Sequence, residues 1–390
     1  MSSSNPKRGP LQGLRVLEIG GMGPTPFAGM TLADMGAEVI RIERPGGLGV
    51  FPGAPTEDIL NRGKSSVVLD LKSPKAIEAL LTMVEDADVL IEGHRPGVAE
   101  RLGIGPDACR ERNPRIVYGR MTGWGQDGPL ADTAGHDIDY IAITGALHAI
   151  GTAGGPPQIP VNLVGDFGGG GMYLVSGILA ALWEVRETGR GRVVDAAIVD
   201  GAAHLLAGIH AMANTGTWAD ERGVNMLDGG APYYAVYETA DGKYIAAGAV
   251  EPKFYAQLLN GLGLAEQIDV SKQNDRATWP ATRADIATAF ARRSRDDWEQ
   301  IFAGTDACVA PIVGLREAMA HPHIKARGTI IERDGLLQAA PAPRFEGFEQ
   351  SLGTPPPQPG QHTSDVLTSF GIDPEPLLAL GVPQSWNEHP

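Results

Sequence analysis

The sequence predicts an α/β protein with a doubly wound parallel sheet and a smaller α+β domain. Three observations support this fold class. From Leu14 to Gly119, short apolar strands alternate with helical stretches, which is typical of a parallel sheet covered by helices. From Tyr233 to about Ala320, the pattern changes to a hairpin followed by helices. The length of 390 residues exceeds what one ordinary core accommodates.

Each element of the alternating part follows from its own pattern. Strands are short apolar runs, whereas the stretch Pro74–Ala87 repeats its apolar residues at helical spacing. The stretch from residue 172 to 188 is a helix that stops at Gly189. The other elements are the strands Leu14–Gly20, Glu38–Glu43, Ser66–Leu71, Asp88–Glu92 and Arg115–Gly119 and the helix Pro26–Gly36.

The middle and the end of the chain have different patterns. Residues 234–239 and 243–247 form a predicted hairpin around Asp241 and Gly242. Two helices are predicted after it, at Pro252–Leu262 and Arg283–Ala303. The Pro-rich segment 339–360 is predicted to be an extended strap, and a short helix from Ser364 to Phe370 follows.

Composition narrows the class of function. The net charge of −15 argues against non-specific binding to nucleic acid. Cys109 and Cys308 lie far apart, so no disulfide framework is predicted. The start, Met1–Pro10, lacks the apolar core of a signal peptide, and a cytoplasmic location is expected. The most apolar stretch, Met172–Val185, is long enough for a buried helix only, so no membrane span is predicted.

Two common cofactor sites do not fit the sequence. The turn Gly20–Gly23 follows a strand and precedes a helix, where a dinucleotide loop would lie. However, Pro26 occupies the third glycine position of that motif, which argues against NAD. His321 and His323 flank a proline without a third ligand nearby, so no metal site is predicted there.

Three segments place an ionisable side chain beside glycines or at the start of a helix: Gly135–Tyr140, Asn162–Gly171 and Gly248–Pro252. The free N–H groups of a helix start can stabilise an enolate oxygen. Each segment also has an ordinary interpretation. His136 could be a core histidine, Asp166 a helix N-cap and Glu251 a surface carboxylate.

Several motifs resemble the family III CoA-transferases, from Leu11 to about Gly381. In that family a Gly-Asp pair stands at the position of Gly165 and Asp166, and its transferases use the aspartate as a nucleophile. The remaining motifs are LRVLE (14–18), GAEVIRIERP (36–45), NRGK (61–64), LDLK (69–72) and RPG (95–97).

Two segments resemble the α-methylacyl-CoA racemase branch of that family more closely. The branch usually has GHDINY where this chain has GHDIDY at Gly135–Tyr140, and AIEP where this chain has AVEP at Ala249–Pro252. Asp139 and Val250 are therefore small departures that concern the substrate pocket and not the branch.

The resemblance implies an architecture. Its members form an interlocked homodimer, in which each chain threads through the other. A large Rossmann-like domain would take residues 1–225 and 330–390, and a small α+β domain residues 226–329. The active site would lie between the large and small domains of different subunits.

The resemblance also implies a racemase reaction, in which a proton moves on and off the carbon next to a CoA thioester. His136 and Asp166 would be the two acid/base groups on opposite faces of that carbon. Glu251 would hold the His136 ring, and the enolate oxygen would meet backbone N–H groups near Asp137. No metal or cofactor is implied, because coenzyme A arrives as part of the acyl-CoA substrate.

Contacts to CoA follow from the same resemblance. Arg44, Lys72 and Arg101 match family positions that contact the nucleotide part of CoA, and guanidinium groups suit phosphate well. The alternative is that these three are solvated surface residues. The remaining expected CoA- or substrate-binding residues are Met22, Leu69, Gly93, His94, Tyr140 and Asn162.

Two other functions stay open at this point. A CoA-transferase would use Asp166 as a covalent nucleophile, although it has no need of a second base such as His136. A catalytically silent acyl-CoA-binding protein would keep Arg44, Lys72 and Arg101 but would have no use for His136 or Asp166.

Overall fold

The computed structural model describes residues 9–46, 53–348 and 351–378. The polar start of the chain up to residue 8, and its end after residue 378, lie outside the described residues. In chain order the strands are β1 (Arg15–Ile19), β2 (Glu38–Glu43), β3 (Lys64–Val68), β4 (Val89–Glu92), β5 (Val117–Thr122), β6 (Val193–Ala197), β7 (Tyr234–Glu238), β8 (Tyr244–Gly248), β9 (Val309–Pro311), β10 (Ile330–Arg333) and β11 (Leu336–Ala339).

The helices cover most of the remaining regular structure. One π-helical segment, Leu163–Gly171, leads directly into an α-helix. The α-helices are α1 (Pro24–Asp34), α2 (Pro74–Glu85), α3 (Val98–Arg101), α4 (Pro106–Arg112), α5 (Asp137–Ile143), α6 (Ala146–Ala149), α7 (Met172–Thr188), α8 (Ile198–Leu205), α9 (Ala207–Asn214), α10 (Pro252–Leu262), α11 (Trp279–Phe290), α12 (Arg295–Phe302), α13 (Leu315–Ala320), α14 (Pro322–Arg327), α15 (Thr363–Ser369) and α16 (Glu375–Leu378).

The chain divides into two compact units, each described here by itself. The larger unit takes residues 1–144, 161–205 and 324–390, and the smaller takes 145–160 and 206–323. These divisions differ from the expected boundaries at 225/226 and 329/330, and they add the segment 145–160 to the smaller unit. The expected domain limits and the interlocked dimer stay predictions.

A parallel sheet is the centre of the larger unit. Among the described residues, six strands pair in the order β3-β2-β1-β4-β5-β6, and every pairing is parallel. This is the strand order of a Rossmann-like fold, and the α/β class with a parallel sheet is confirmed. Strand β6 was not predicted, because Asp195 interrupts an otherwise apolar run of only five residues.

Alternate residues of the central strands pack on opposite faces of the sheet, since side chains of a strand alternate in direction. Leu17, Ile40 and Leu90 pack with α2 on one face. On the other face, the neighbouring valines of the same strands pack with α1 and α7. Burial on both faces explains why these strands are continuous apolar runs.

Helix α7 has the predicted bounds, and the π-helical segment before it lengthens the helical run. Together with the π-helical segment it spans 26 residues, Leu163–Thr188, which by length and composition could cross a membrane. The expectation that the chain has no membrane span therefore stays a prediction. Leu174, Val175 and Ile178 of α7 are buried in the core beside the sheet.

The structure corrects one helix and confirms the hairpin. The predicted helix Arg283–Ala303 is two helices, α11 and α12, because Ser294 accepts a hydrogen bond from the N–H of Asp297 and begins α12. The hairpin of β7 and β8 is antiparallel, as predicted. Tyr237 of this hairpin stacks on Phe290 of α11 and packs in one core with other aromatic side chains of α11 and α12.

Residues 351–360 of the Pro-rich strap run beside β3, the edge strand of the parallel sheet. The N–H of Gly63 donates to the carbonyl of Thr354, and the N–H of Gly360 donates to Oγ of Ser66. Helix α15 follows, and Thr363 Oγ1 accepts from the N–H of Val68. The strap and α15 thus cover an edge that would otherwise present unpaired backbone groups.

Candidate functional site

The candidate site lies at the carboxyl edge of the parallel sheet. The loops that follow β1, β4 and β5 line a cavity of about 350 Å³ together with α5 and the π-helical segment. Ligands of doubly wound sheets bind at this edge. Six of the expected site residues line the cavity: Met22, Gly93, His94, His136, Tyr140 and Asp166.

Asp166 lies within the π-helical segment, so it is not a helix N-cap. Phe167 stacks on Phe27 of α1 with 4.4 Å between ring centroids, which anchors this segment beside the sheet. A Cβ added at Gly23 would lie 2.8 Å from Oδ2 of Asp166. Because Gly23 also has a φ of 60°, only glycine lets the loop after β1 approach the carboxylate this closely.

Burial raises the pKa of Asp166 above its ordinary value. The carboxylate of Asp137 raises this pKa further, whereas the Asn162 side chain and His136 lower it. Nδ2 of Asn162 lies 3.4 Å from Oδ2 of Asp166 and donates to it. A raised pKa moves the carboxyl towards the neutral range that an acid/base group needs.

Asp137 holds the backbone of Asp166. Its side chain is 9% exposed, and Oδ1 accepts a hydrogen bond of 2.7 Å from the N–H of Asp166. A Cβ at Gly165 would lie 2.3 Å from that Oδ1, so the glycine of the Gly-Asp pair makes room for the Asp137 carboxylate. The sequence analysis expected only the backbone N–H groups near Asp137 to act, as donors to the enolate oxygen. It missed that the Asp137 side chain holds the backbone of Asp166.

His136 is exposed and occupies the N-cap position of α5, so it is not a core histidine. Its own N–H donates to Oδ2 of Asp139 over 2.9 Å. The aspartate that replaces the usual asparagine therefore caps α5, where a negative charge is favourable. The first N–H groups of α5, from Asp137 and Ile138, have no partner within the helix and are available to an oxyanion.

Tyr140 is half-buried and closes one side of the cavity. Its hydroxyl donates to the carbonyl of Gly135, and its ring packs edge-on against Trp124 with 4.7 Å between centroids. A Cβ at Gly123 would lie 2.0 Å from the Tyr140 ring. Glycine at position 123 thus allows the loop after β5 to pack on the tyrosine.

The expected CoA-binding cations lie outside the cavity lining but near the same edge in the fold. Arg44 directly follows β2, Lys72 follows β3, and Arg101 ends the helix α3 that follows β4. All three are exposed. Leu69 is 2% exposed and packs in the core, so only its backbone could contact a ligand.

Glu251 belongs to the smaller unit. It is exposed, and it occupies the N-cap position of α10 without a hydrogen bond from its side chain to the helix. The expected pairing of Glu251 with His136 stays a prediction.

Sequence reasoning missed Glu92, which ends β4 with no exposed surface. It forms an ion pair with Arg120 at 3.1 Å and accepts from the N–H of His94 at 2.6 Å. Burial raises the pKa of Glu92 to about 7 and lowers the pKa of His94. The signal available in the sequence was the position of this carboxylate at the end of the apolar strand Asp88–Glu92.

Other missed residues line the cavity beside the expected ones. Trp124 was not singled out, and Arg95 was noted only within a family motif. Burial and the carboxylates of Asp166 and Asp139 raise the pKa of Tyr140. Arg95 is exposed, and its positive charge lowers that pKa.

In the described ranges, no cluster of three or more His, Cys, Asp or Glu side chains could hold a metal ion.

Known proteins resemble this chain over almost its whole length. The α-methylacyl-CoA racemase of Mus musculus is 43% identical over 375 residues, which cover 95% of this chain and 96% of the relative. The α-methylacyl-CoA racemase of Homo sapiens is 41% identical over 379 residues, with coverage of 95% and 96%. The crystal structure of a CAIB/BAIF family protein from Brucella suis superposes with a TM-score of 0.80 at 26% identity, covering 93% of this chain and 100% of that one. The model of the CoA-transferase family III matches residues 11–363, and the chain therefore belongs to that family.

Proposed function

We propose that this chain is an α-methylacyl-CoA racemase, an isomerase that interconverts (R)- and (S)-2-methylacyl-CoA thioesters. The observation that carries the proposal is that His136 and Asp166 line one cavity at the carboxyl edge of the sheet. The identity of 41–43% to two racemases over 95% of the chain supports the same reaction.

The reaction needs two acid/base groups, one for each face of the α-carbon. One group removes the α-proton, the electrons move onto the thioester oxygen, and the other group returns a proton to the opposite face. An imidazole such as that of His136 is a common general acid or base. The raised pKa of Asp166 suits its carboxyl to the same kind of role.

The developing enolate oxygen would be stabilised by the N–H groups of Asp137 and Ile138 at the start of α5. A helix start offers free donors and a partial positive charge. Removal of one such donor typically costs about 10²- to 10³-fold in rate. Because Asp137 also accepts from the N–H of Asp166, it ties the oxyanion donors to the second acid/base group.

The remaining parts of the proposal rest on the family resemblance. Glu251 would orient His136 and stabilise its protonated form, and the enzyme would work as an interlocked homodimer with domains 1–225/330–390 and 226–329. No metal or cofactor is proposed, since CoA enters with the substrate. The cytoplasmic location and the absence of a membrane span stay predictions.

The wild-type protein is expected to exchange the α-hydrogen of a 2-methylacyl-CoA for deuterium and to invert that centre. The measurement is α-proton NMR in D₂O combined with the optical purity of the recovered acyl group. Loss of both the α-proton signal and the optical purity supports a 1,1-proton transfer at the α-carbon.

The competing function predicts different products. A CoA-transferase would move CoA to a free carboxylic acid, and hydroxylamine would trap an acyl group on Asp166. Transfer with trapping, and no exchange of the α-proton of any 2-methylacyl-CoA for deuterium, would replace the racemase proposal by the transferase.

Arg44→Ala is expected to raise KM for the acyl-CoA about tenfold or more with a smaller effect on kcat, because a charge-assisted hydrogen bond to phosphate contributes mainly uniform binding. Steady-state kinetics measure the split. Arg115→Ala is the matched control, because this exposed arginine precedes β5 and lies at the opposite edge of the sheet. An unchanged KM with a collapsed kcat would contradict the assignment of Arg44.

A further inference from the structure

The segment that carries Glu251 lies between a strand and a helix of the smaller unit. Strand β8 ends at Gly248, and α10 begins at Pro252. The carbonyls of Ala249 and Val250 therefore belong neither to the strand ladder nor to the helix. Buried carbonyls in such a position need a hydrogen-bond donor from elsewhere.

The side chain of Gln273 supplies that donor. Its Nε2 donates to the carbonyl of Ala249 over 3.1 Å and to the carbonyl of Val250 over 2.8 Å. Both protons of one amide group are thus used on the two residues that precede Glu251. Two bonds to consecutive carbonyls restrict the direction in which the chain leaves β8.

Gln273 is itself held in place. Gln273 is 4% exposed. Its backbone carbonyl accepts a 2.9 Å hydrogen bond from Nε1 of Trp279. Trp279 packs edge-on against Tyr233, whose carbonyl accepts from the N–H of Ala249. These contacts join Gln273 and the segment before Glu251 into one buried arrangement.

The arrangement leaves the Glu251 side chain unused by the fold. The backbone carbonyl of Glu251 accepts from the N–H groups of Phe254 and Tyr255, but its carboxylate makes no capping bond to α10. Meanwhile Oε1 of Gln273 is buried and has no hydrogen-bond partner among the described residues. A buried amide with an unsatisfied oxygen is costly, and a residue kept only for packing could avoid that cost.

We infer that Gln273 is a positioning residue that aims the Glu251 carboxylate through its hydrogen bonds to the carbonyls of Ala249 and Val250. The inference rests on the proposed function, in which Glu251 orients His136 for proton transfer. Gln273 touches neither substrate nor reacting atoms and acts through Glu251 alone.

The test is a double-mutant cycle with Gln273→Met and Glu251→Gln, read as racemisation kinetics. Methionine keeps the volume of glutamine and removes both donors. Gln273→Met is expected to lower kcat about 10- to 100-fold, the size of effect that a small misplacement causes, and to leave KM within about twofold. In the Glu251→Gln background, the same substitution is expected to change kcat by less than about twofold.

Controls separate positioning from damage to the fold. Gln267→Met makes the same chemical change at an exposed residue of the same unit and is expected to leave kcat and KM unchanged. If Gln273→Met fails to fold by circular dichroism, Trp279→Phe takes its place, because it removes the indole donor to Gln273 and keeps an aromatic ring. Its loss of kcat should be smaller and equally absent in the Glu251→Gln background.

Other outcomes would overturn the inference. Losses that multiply in the double variant would show that Gln273 acts independently of Glu251, and an unchanged kcat would show that it does not act at all. A Glu251→Gln enzyme of normal activity would leave Gln273 nothing to act through. Racemisation by the wild-type protein is measured first, so that a failure of the proposed function is recognised separately.

Discussion

His136→Gln is expected to lower racemisation in both directions by about 10²- to 10⁴-fold, the usual contribution of a general acid or base. Each direction needs both groups, one to remove the α-proton and one to return a proton to the opposite face. Glutamine keeps a similar shape but has no titratable nitrogen. The loss is measured as the initial rate of change in optical purity, starting from each pure enantiomer.

Deuterium exchange should not fall equally in this variant. By the family resemblance, His136 would serve the S face and Asp166 the R face. In His136→Gln, Asp166 could still take a proton from the R substrate and return a deuteron from the same side. The R substrate should therefore gain deuterium with retention of configuration, while the S substrate stays unlabelled.

Asp166→Asn should show the mirror image, with exchange retained for the S substrate only. A suitable control is Asp107→Asn, because that carboxylate is 99% exposed and lies in α4, away from the cavity lining. Equal loss of exchange from both enantiomers in both variants, with the fold intact, would count against the assignment of one base to each face.

Glu18→Gln is expected to lower the free energy of unfolding by about 3–5 kcal/mol, because it removes a buried carboxylate and leaves its two cationic partners without their counter-charge. Oε2 of Glu18 lies 2.7 Å from Nζ of Lys64, and both side chains are fully buried. The other oxygen pairs with Arg41 at 2.5 Å. Burial already lowers the pKa of Lys64 to about 8, despite the opposing effect of Glu18.

Equilibrium unfolding in denaturant measures the effect, with Glu38→Gln as the matched control. Glu38 begins the neighbouring strand β2 and pairs with Arg15 at 2.9 Å, but its side chain is 52% exposed. Exposed pairs contribute about 0–1 kcal/mol. If the two substitutions destabilise the protein equally, the buried pair is not the cause.

The ion-pair cluster of Glu18, Arg41 and Lys64 also supports the loop after β1, which borders Asp166. Nη2 of Arg41 donates to the carbonyl of Gly21, and Nζ of Lys64 donates to the carbonyl of Pro26. These bonds hold both sides of the turn that presents Gly23 to the Asp166 carboxylate. The lysine of the NRGK motif thus has a structural role that its position in the sequence did not reveal.

The sequence by itself determined the class of fold and five of the six strands of the parallel sheet. Strand β2 and helix α10 have the predicted bounds, because apolar periodicity is a local property that is written directly in neighbouring residues. The pattern of an ionisable side chain beside glycines also marked His136 and Asp166 as candidates, and the family resemblance assigned their roles. The split of α11 from α12 was missed, because the helical pattern continues across the cap at Ser294.

Only the tertiary structure decided which of these residues meet. His136 and Asp166 are separated by 29 intervening residues, yet they line one cavity because parallel strands bring their carboxyl ends to one edge of the sheet. The hydrogen bond from the N–H of Asp166 to Asp137, and the room that Gly165 leaves for it, depend on packing between distant segments. Leu69, directly after β3, also packs in the core. Whether a side chain at the end of a strand faces the core or the solvent depends on pairing and packing with segments far away in the sequence.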